Sequence, residues 1–291
     1  MISGTTVLNL LASIALLGSM YALVNVGFVL LYRSTGVPNF AQGQVAMFSG
    51  FILASAAPFG AGYFTGAIAA IACCALGGLL CYRLLMHRLL GATEFTKTIV
   101  TFMLAIVITQ TCIMVWATDI RMVPQPTTAS IKLGGWTFPL MTLVTVLITV
   151  ALVVALAWFL DRTLTGIRLQ ALAENESLSV YAGIPVHRLA GIAWATAFGM
   201  AGVAGVLYSQ RASIDLSTAE IGLIAFPAAV IGGLNSIEGT LIGALILATM
   251  QTVLNYYLGG SYGTIAIYGL MLGTIILRPQ GLMGSLAARR L

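Results

Sequence analysis

The chain of 291 residues is 59% hydrophobic and 7% charged, with a formal net charge of +5 and a mean hydropathy of +1.02. Folded in water, it would expose far more apolar surface than its few polar residues cover, so this composition excludes a soluble domain. Several apolar runs reach the ~20 residues that a helix needs to cross a bilayer core, whereas the period-2 alternation of a transmembrane barrel is absent. The sequence therefore predicts an all-α polytopic membrane protein that forms one transmembrane domain over residues 1–291.

The apolar runs predict nine membrane segments, or eight if one of the two weakest enters the bilayer without crossing it. These two are the second run, which is weakly apolar, and the seventh, which is too short to span comfortably. In chain order the runs are approximately Val7–Tyr32, Val45–Pro58, Phe64–Met86, Thr98–Ala117, Leu140–Leu160, Ala190–Tyr208, Leu223–Gly233, Thr240–Tyr257 and Ile265–Leu277.

Glycine and uncharged polar residues interrupt the apolar pattern at two places. The first is GVPNFAQGQ (Gly36–Gln44) and the second is GGLNSIEG (Gly232–Gly239). Irregular backbone at membrane depth is tolerated only where protein or a water-filled cavity covers it. Paired interruptions in the two halves of a chain point to a transport path; the alternative is that both are interfacial turns.

A polar pair, Tyr21 and Asn25, lies four residues apart in the first apolar run and therefore on one helix face. Such a pair either forms hydrogen bonds between helices or lines a polar route together with the interruptions. On the second interpretation, the candidate substrate path consists of Tyr21, Asn25, Asn39, Gln42, Gln44 and Asn235.

The longest polar stretch of the chain is DRTLTGIRLQALAENESLSVYAGIPVHRL, Asp161–Leu189. Good helix formers fill its middle, Gln170–Ala182, and Gly183 followed by Pro185 is a helix stop signal. The pattern predicts a short helix outside the bilayer, which a soluble partner could contact. The alternative is a solvated loop that is merely helical.

Basic residues stand at the ends of the apolar runs, which is typical of topology signals and argues against nucleic-acid binding. If all nine segments cross, ten of the 13 basic residues fall on the side of the 161–189 loop and the C-terminus. The positive-inside bias then predicts that this side is cytoplasmic. The ten are Arg33, Arg83, Arg88, Lys97, Arg162, Arg168, Arg188, Arg278, Arg289 and Arg290.

The sequence lacks the residues that several classes of function require. No charged residue lies in the middle of an apolar run, where ion-driven carriers commonly keep one for the coupling ion. Neither Lys97 nor Lys132 follows a glycine as in a P-loop, and the four cysteines match no metal motif. These absences predict a non-enzymatic pathway without metal or cofactor, such as the membrane subunit of an ABC importer. The alternative is a self-sufficient channel or ion-coupled secondary carrier for a small neutral solute such as urea or an amide.

Three stretches carry a family resemblance: YALVNVGFVLLYRSTGVPNFAQGQVAMFSGF, GIRLQALAENESLSVYAGIPVHRLAGIAWATAFGMAGVAGVLYS and FPAAVIGGLNSIEGTLIGALILA. In this order and spacing they resemble the signatures of the LIV-type (branched-chain amino acid) ABC transporter permeases, and the chain looks most like the smaller, first permease of the pair. The resemblance implies a second homologous permease subunit, two cytoplasmic subunits that bind ATP, and an external or periplasmic solute-binding protein. It also implies a bacterial-type inner membrane and a branched-chain or related amino acid as the solute.

The resemblance also gives a role to the 161–189 loop, which it identifies as the coupling helix that docks on an ATPase. The predicted coupling residues are Arg168, Ala171, Leu172, Asn175 and Gly183. The chain departs from the family at Gln170, where a basic residue is frequent, and at Asn235 and Glu238, which replace the commoner Gly and Pro. These departures leave the solute open between a branched-chain amino acid, urea, an amide and an aromatic acid.

Overall fold

The computed structural model describes residues 4–56, 62–89, 91–123, 126–127, 129–133, 136–174, 176–210, 213–278 and 280–284. Within these ranges the chain forms eleven α-helices and one two-stranded sheet. In chain order the elements are α1 (Gly4–Thr35), α2 (Gln42–Ala56), α3 (Tyr63–Leu84), α4 (Glu94–Trp116), β1 (Ser130–Leu133), β2 (Trp136–Pro139), α5 (Leu140–Arg162), α6 (Leu164–Glu174), α7 (Glu176–Tyr181), α8 (Val186–Tyr208), α9 (Glu220–Gly232), α10 (Ile237–Leu258) and α11 (Gly260–Leu277).

Each of the nine predicted apolar runs coincides with a helix, namely α1 to α5 and α8 to α11. Among the described residues, six of these helices are long and apolar enough to cross a membrane: α1, α3, α4, α5, α8 and α10. The polytopic helical fold is thus confirmed. α2 has 15 residues and α9 has 13, which correspond to about 20 Å of helix against a core of about 30 Å. Eight or nine crossings therefore remain a prediction.

The helices α1 and α8 are the most buried of the long helices. α8 packs against α3, α2 and α1, while α1 also packs against α9 and α10. The glycines that the sequence places in α8 permit this packing, because a Cβ on Gly205 would overlap the carbonyl of Ala46 in α2. A Cβ on Gly202 would lie 3.1 Å from the Cβ of Cys74 in α3.

One end of the bundle, here called the loop end, gathers the end of α1, the end of α3, the start of α4, the helix α6 and the start of α8. Residues from all five line one cavity of about 210 Å³, among them Thr35, Tyr82, Lys97, Leu172 and Val186. At the opposite end, the segment after α4 pairs with the segment after α8 through a bridge between Arg121 and Ile214.

The loop between α4 and α5 contains secondary structure that the sequence did not predict. In this loop, which contains no predicted apolar run, β1 and β2 form an antiparallel hairpin, with Ser130 opposite Pro139 and Leu133 opposite Trp136. The fold is therefore helical with one small external hairpin.

Candidate translocation path and coupling loop

The first interruption is a segment of irregular backbone between α1 and α2. Gly36 has a φ of +70° and turns the chain after α1. Asn39 is completely buried and holds the segment in shape, because its Oδ1 accepts a hydrogen bond from the Ala41 N–H at 3.1 Å and its Nδ2 donates to Gln42 Oε1 at 3.2 Å. The irregular backbone is therefore covered by protein, as membrane depth requires.

Gln42 ties the start of α2 to the two central helices. Its Nε2 donates to the carbonyl oxygen of Ala197 in α8 at 2.8 Å, and its amide packs against Gly27 of α1. Gly27 lies eight residues before the end of α1, which corresponds to about 12 Å of helix. The helix α2 therefore begins well inside the bundle and extends away from the loop end.

The starts of α2 and α9 meet at this depth. A Cβ on Gly43 would lie 2.8 Å from the Gly222 nitrogen, and a Cβ on Gly222 would lie 2.6 Å from the Gly43 Cα. Glycine at both positions allows the two backbones to touch. Two short helices thus begin at one interior point, an arrangement found at the binding sites of transporters with broken helices.

An aromatic cluster closes the first interruption. Phe40 stacks on Phe102 of α4, with ring centroids 4.2 Å apart, and also contacts Phe226 of α9 at 5.0 Å. Phe28 of α1 contacts Phe226 at 5.5 Å. Sequence reasoning missed these four rings, because phenylalanine in an apolar run carries no signal that separates a path wall from ordinary core.

The two residues of the predicted polar pair in α1, Tyr21 and Asn25, lie in different environments. Tyr21 donates a hydrogen bond from its hydroxyl to Gln251 Oε1 of α10, which is the helix–helix interaction that the sequence left as an alternative. Asn25 is completely buried, and neither its Oδ1 nor its Nδ2 has a hydrogen-bond partner among the described residues. The side-chain oxygen of Gln44 is likewise buried and unpaired within that part of the chain.

The second interruption is a tight turn. α9 ends at Gly232, Gly233 has a φ of +107°, and Ser236 caps α10 by accepting a hydrogen bond from the Gly239 N–H at 3.0 Å. The C-terminal segment closes over the turn, because Met283 N–H donates to the Gly232 carbonyl at 3.0 Å.

The structure separates this turn from the first interruption. Gly222 contacts the start of α2, whereas Gly232 lies ten residues, or about 15 Å of helix, further along α9. Asn235, which is partly exposed, therefore does not join Asn39 and Gln42 in one cluster.

The described residues of the 161–189 loop are helical in α6 and α7, on either side of Asn175, where the sequence predicted a short helix over Gln170–Ala182. α6 begins earlier, at Leu164, and α7 ends at Tyr181. Gln170 fixes α6 to the end of α5, because its Nε2 donates to the Leu160 carbonyl at 2.9 Å and to Asp161 Oδ1 at 3.1 Å.

The predicted stop at Gly183 is confirmed. Gly183 has a φ of +74° and its N–H donates to the Val180 carbonyl, which ends α7.

The predicted coupling residues occupy both faces of these helices. Leu172 is buried against the bundle, Ala171 is half-buried and Arg168 is exposed, while Asn175 lies outside the described residues. The outer face is unusually apolar for a solvated loop. Its exposed apolar side chains are Leu164, Ile167, Leu178, Val180 and Tyr181.

A bundle of apolar helices with two interrupted segments and a helical loop at one end is the architecture of a membrane permease. Residues 10–277 match the family described as the permease component of branched-chain amino acid transport systems, and the chain belongs to that family. The resemblance stated from the sequence is thereby confirmed.

Relatives named for branched-chain amino acid transport match over nearly the whole chain. A probable branched-chain amino acid transport permease protein, LivH, of Methanocaldococcus jannaschii is 28% identical and covers 91% of this chain and 89% of its own. The high-affinity branched-chain amino acid transport system permease protein LivH of Escherichia coli is 26% identical and covers 92% of each chain. The ribose import permease RbsC of Haemophilus influenzae is 32% identical over 36% of this chain and 35% of its own. No solved structure matches significantly.

Proposed function

We propose that this chain is a transmembrane subunit of an ATP-binding-cassette importer for branched-chain or related amino acids. It forms half of the translocation path, and a second homologous permease subunit forms the other half. The observation that carries the proposal is the similarity over residues 10–277 to permease components of branched-chain amino acid transport systems. Relatives whose names include branched-chain amino acid transport cover about nine-tenths of the chain, which supports the solute class.

The outer face of α6 and α7 supports a docking role for the 161–189 loop. Tyr181 is 88% exposed and Leu164 is 72% exposed, whereas Leu169 and Leu172 on the same loop anchor it to the bundle. An apolar surface on an anchored helix suits a partner protein that must transmit force to the membrane helices. We assign Arg168, Ala171, Leu172, Asn175 and Gly183 to this coupling element.

The same assignment gives the orientation of the chain in the membrane and the source of energy for transport. The 161–189 loop and the C-terminus face the cytoplasm, where two ATP-binding subunits supply the energy, and an external solute-binding protein delivers the amino acid. The chain is a multi-pass protein of the inner membrane. It binds neither ATP nor a metal itself.

We infer that in this conformation the path is closed at the first interruption. Asn39 and Gln42 are buried, and the ring of Phe40 stacks on Phe102 of α4. We infer that the half of the path formed by this chain opens toward the second permease at the point where α2 and α9 begin. We place Tyr21, Asn25, Asn39, Gln42 and Gln44 along it, with Asn235 at the loop end.

Co-purification tests the proposed assembly. The tagged chain is extracted from its native membrane in mild detergent and its partners are identified by mass. We expect a second permease and two ATP-binding subunits. Recovery of the chain alone as a stable, monodisperse species would favour the channel or carrier and contradict the proposal.

A further inference from the structure

A basic groove lies between α3 and α8 at the loop end. It has a volume of about 620 Å³, and its polar lining comes from Arg83, His87, His187 and Arg188 together with Tyr82. The two histidine rings, which are the only histidines of the chain, lie 4.3 Å apart. The Tyr82 hydroxyl lies 3.4 Å from His187 Nδ1. Helix ends that are 100 residues apart in sequence thus bring two arginines and two imidazoles to one place.

Among the residues that the structure describes, no carboxylate lines this groove. Glu94 and Glu174 line a different cavity, which shares only Tyr82 with the groove. Two guanidinium groups in a site without a counter-charge repel each other, and an anion between them removes that repulsion. Arginine is also the side chain that binds phosphate oxygens in a bidentate manner.

The walls of the groove are apolar on the side toward the membrane. Leu79 precedes Arg83 by four residues on α3, and Ile192 follows Arg188 by four residues on α8, so each shares a helix face with its arginine. Ile192 is 41% exposed. Only 28% of the apolar part of α3 is buried, which leaves most of this helix for contact with lipid chains.

We propose that this groove binds the phosphodiester headgroup of an anionic phospholipid. Arg83 and Arg188 hold the phosphate from the ends of α3 and α8, the imidazoles of His87 and His187 and the Tyr82 hydroxyl surround it, and an acyl chain lies along Leu79 and Ile192. Basic pockets between transmembrane helices at the membrane surface bind such headgroups. The groove lies where α8 begins, just after the helices of the coupling loop. The bound lipid therefore joins α3 to the helix that follows this loop.

Native mass spectrometry of the full-length chain tests the proposal. The chain is released from mixed micelles that contain phosphatidylglycerol and phosphatidylcholine in equal amounts. We expect preferential retention of one phosphatidylglycerol. Each arginine near an anionic surface contributes an attraction worth roughly fivefold in affinity, so R83Q/R188Q should lower the ratio of retained phosphatidylglycerol to phosphatidylcholine by about 25-fold. The single variants R83Q and R188Q should each give part of this loss.

The matched control is R162Q/R278Q, which removes the same charge from exposed positions at the ends of α5 and α11. It should retain the wild-type ratio, and all variants should elute from gel filtration as the wild type does. Equal retention of both lipids by the wild-type chain, or an unchanged ratio in R83Q/R188Q, would overturn the proposal. Displacement by inorganic phosphate would show that the groove takes a free anion instead. Loss of the lipid when ATP-binding subunits are assembled would identify the groove as a protein-docking surface and likewise overturn it.

Discussion

Gln42 and Asn25 are both completely buried amides in the first part of the chain, yet their surroundings differ. The Gln42 amide donates to the Ala197 carbonyl and receives a hydrogen bond from Asn39. The Asn25 amide has no partner within the described residues. A buried polar group without a partner costs about 1–3 kcal/mol, so Gln42 stabilises this conformation while Asn25 does not. We therefore interpret Gln42 as a tie between α2 and α8. We interpret Asn25 as a residue whose amide finds a partner in another state of the proposed path.

The first prediction concerns the Gln42 tie. Gln42→Ala removes the hydrogen bond to the Ala197 carbonyl and leaves the buried Asn39 Nδ2 without its acceptor, so the free energy of unfolding should fall by about 1–3 kcal/mol. Reversible unfolding in detergent, followed by the change in helical signal, measures this effect. Gln110→Ala is the matched control, because Gln110 is exposed on α4, and its effect should stay within about 0.5 kcal/mol. Equal stability of the two variants would refute the tie.

The second prediction concerns Asn25. Replacing a buried, unpaired amide by an apolar group of similar size is close to neutral for stability. Asn25→Leu should therefore keep or raise the unfolding midpoint and yet lower the rate of solute uptake by the assembled system. A fall in the midpoint would indicate that Asn25 has a stabilising partner, and unchanged uptake would remove it from the path.

At the residue scale, the sequence predicted a set of polar path residues but not what they contact. The spacing of Tyr21 and Asn25 correctly placed them in one helix, since four residues make about one turn. The partner of Tyr21 is Gln251, 230 residues away, and no local pattern specifies such a pairing. The same holds for the stacking of Phe40 on Phe102.

At the scale of elements, the short helices α2 and α9 depend on each other. Each has a glycine in its first turn, Gly43 in α2 and Gly222 in α9, and the backbones of these two glycines touch. A methyl group on Gly43 would overlap the carbonyl of Ala219, so the two helices would have to separate.

The third prediction follows from that contact. Overpacking typically costs about 1–3 kcal/mol, so Gly43→Ala should lower the free energy of unfolding by this amount. Gly269→Ala in α11 is the control, because a Cβ there meets nothing within 4 Å; alanine in an open helix interior stabilises by about 0.5–1 kcal/mol. Denaturation of both variants in the same detergent measures the difference. The same sign for the two variants would show that α2 and α9 do not pack as described.

The fourth prediction concerns the outer face of the coupling loop. Tyr181 is 88% exposed, so Tyr181→Ser should leave the unfolding midpoint unchanged but reduce solute uptake per ATP hydrolysed by several-fold. Tyr262→Ser serves as the control, since Tyr262 is also exposed but lies at the start of α11. Normal coupling in Tyr181→Ser would place the docking surface elsewhere.

The apolar runs predicted the helices well because hydropathy and length together identify membrane segments. The helices extend beyond the apolar runs at several ends; in α1, Ser34 and Thr35 continue the helix with hydroxyl groups bonded to the Leu31 carbonyl. The hairpin of β1 and β2 was missed, because a short strand in a polar loop has little pattern of its own.

At the scale of the whole molecule, the buried starts of α2 and α9 and the exposed 161–189 loop lie at different depths of one bundle. The starts of α2 and α9 lie about 12 Å inside the loop end. The helix α8 connects them to the loop, since Ala197 accepts a hydrogen bond from Gln42 and α8 begins at Val186, five residues after α7 ends. A displacement of α6 and α7 by a partner can therefore reach Gln42 through a single helix. Under the proposed function, this connection would carry the effect of an energy source outside the chain to the interior.

ATP-dependent uptake tests that account most directly. Proteoliposomes carry the chain with its second permease and ATP-binding subunits, ATP is enclosed on the side of the ATP-binding subunits, and labelled leucine is added outside with the solute-binding protein. We predict accumulation that requires ATP, both permeases and the binding protein, and that persists when ion gradients are collapsed. Uptake by the chain alone that stops when an ion gradient is collapsed would contradict the account and identify a secondary carrier.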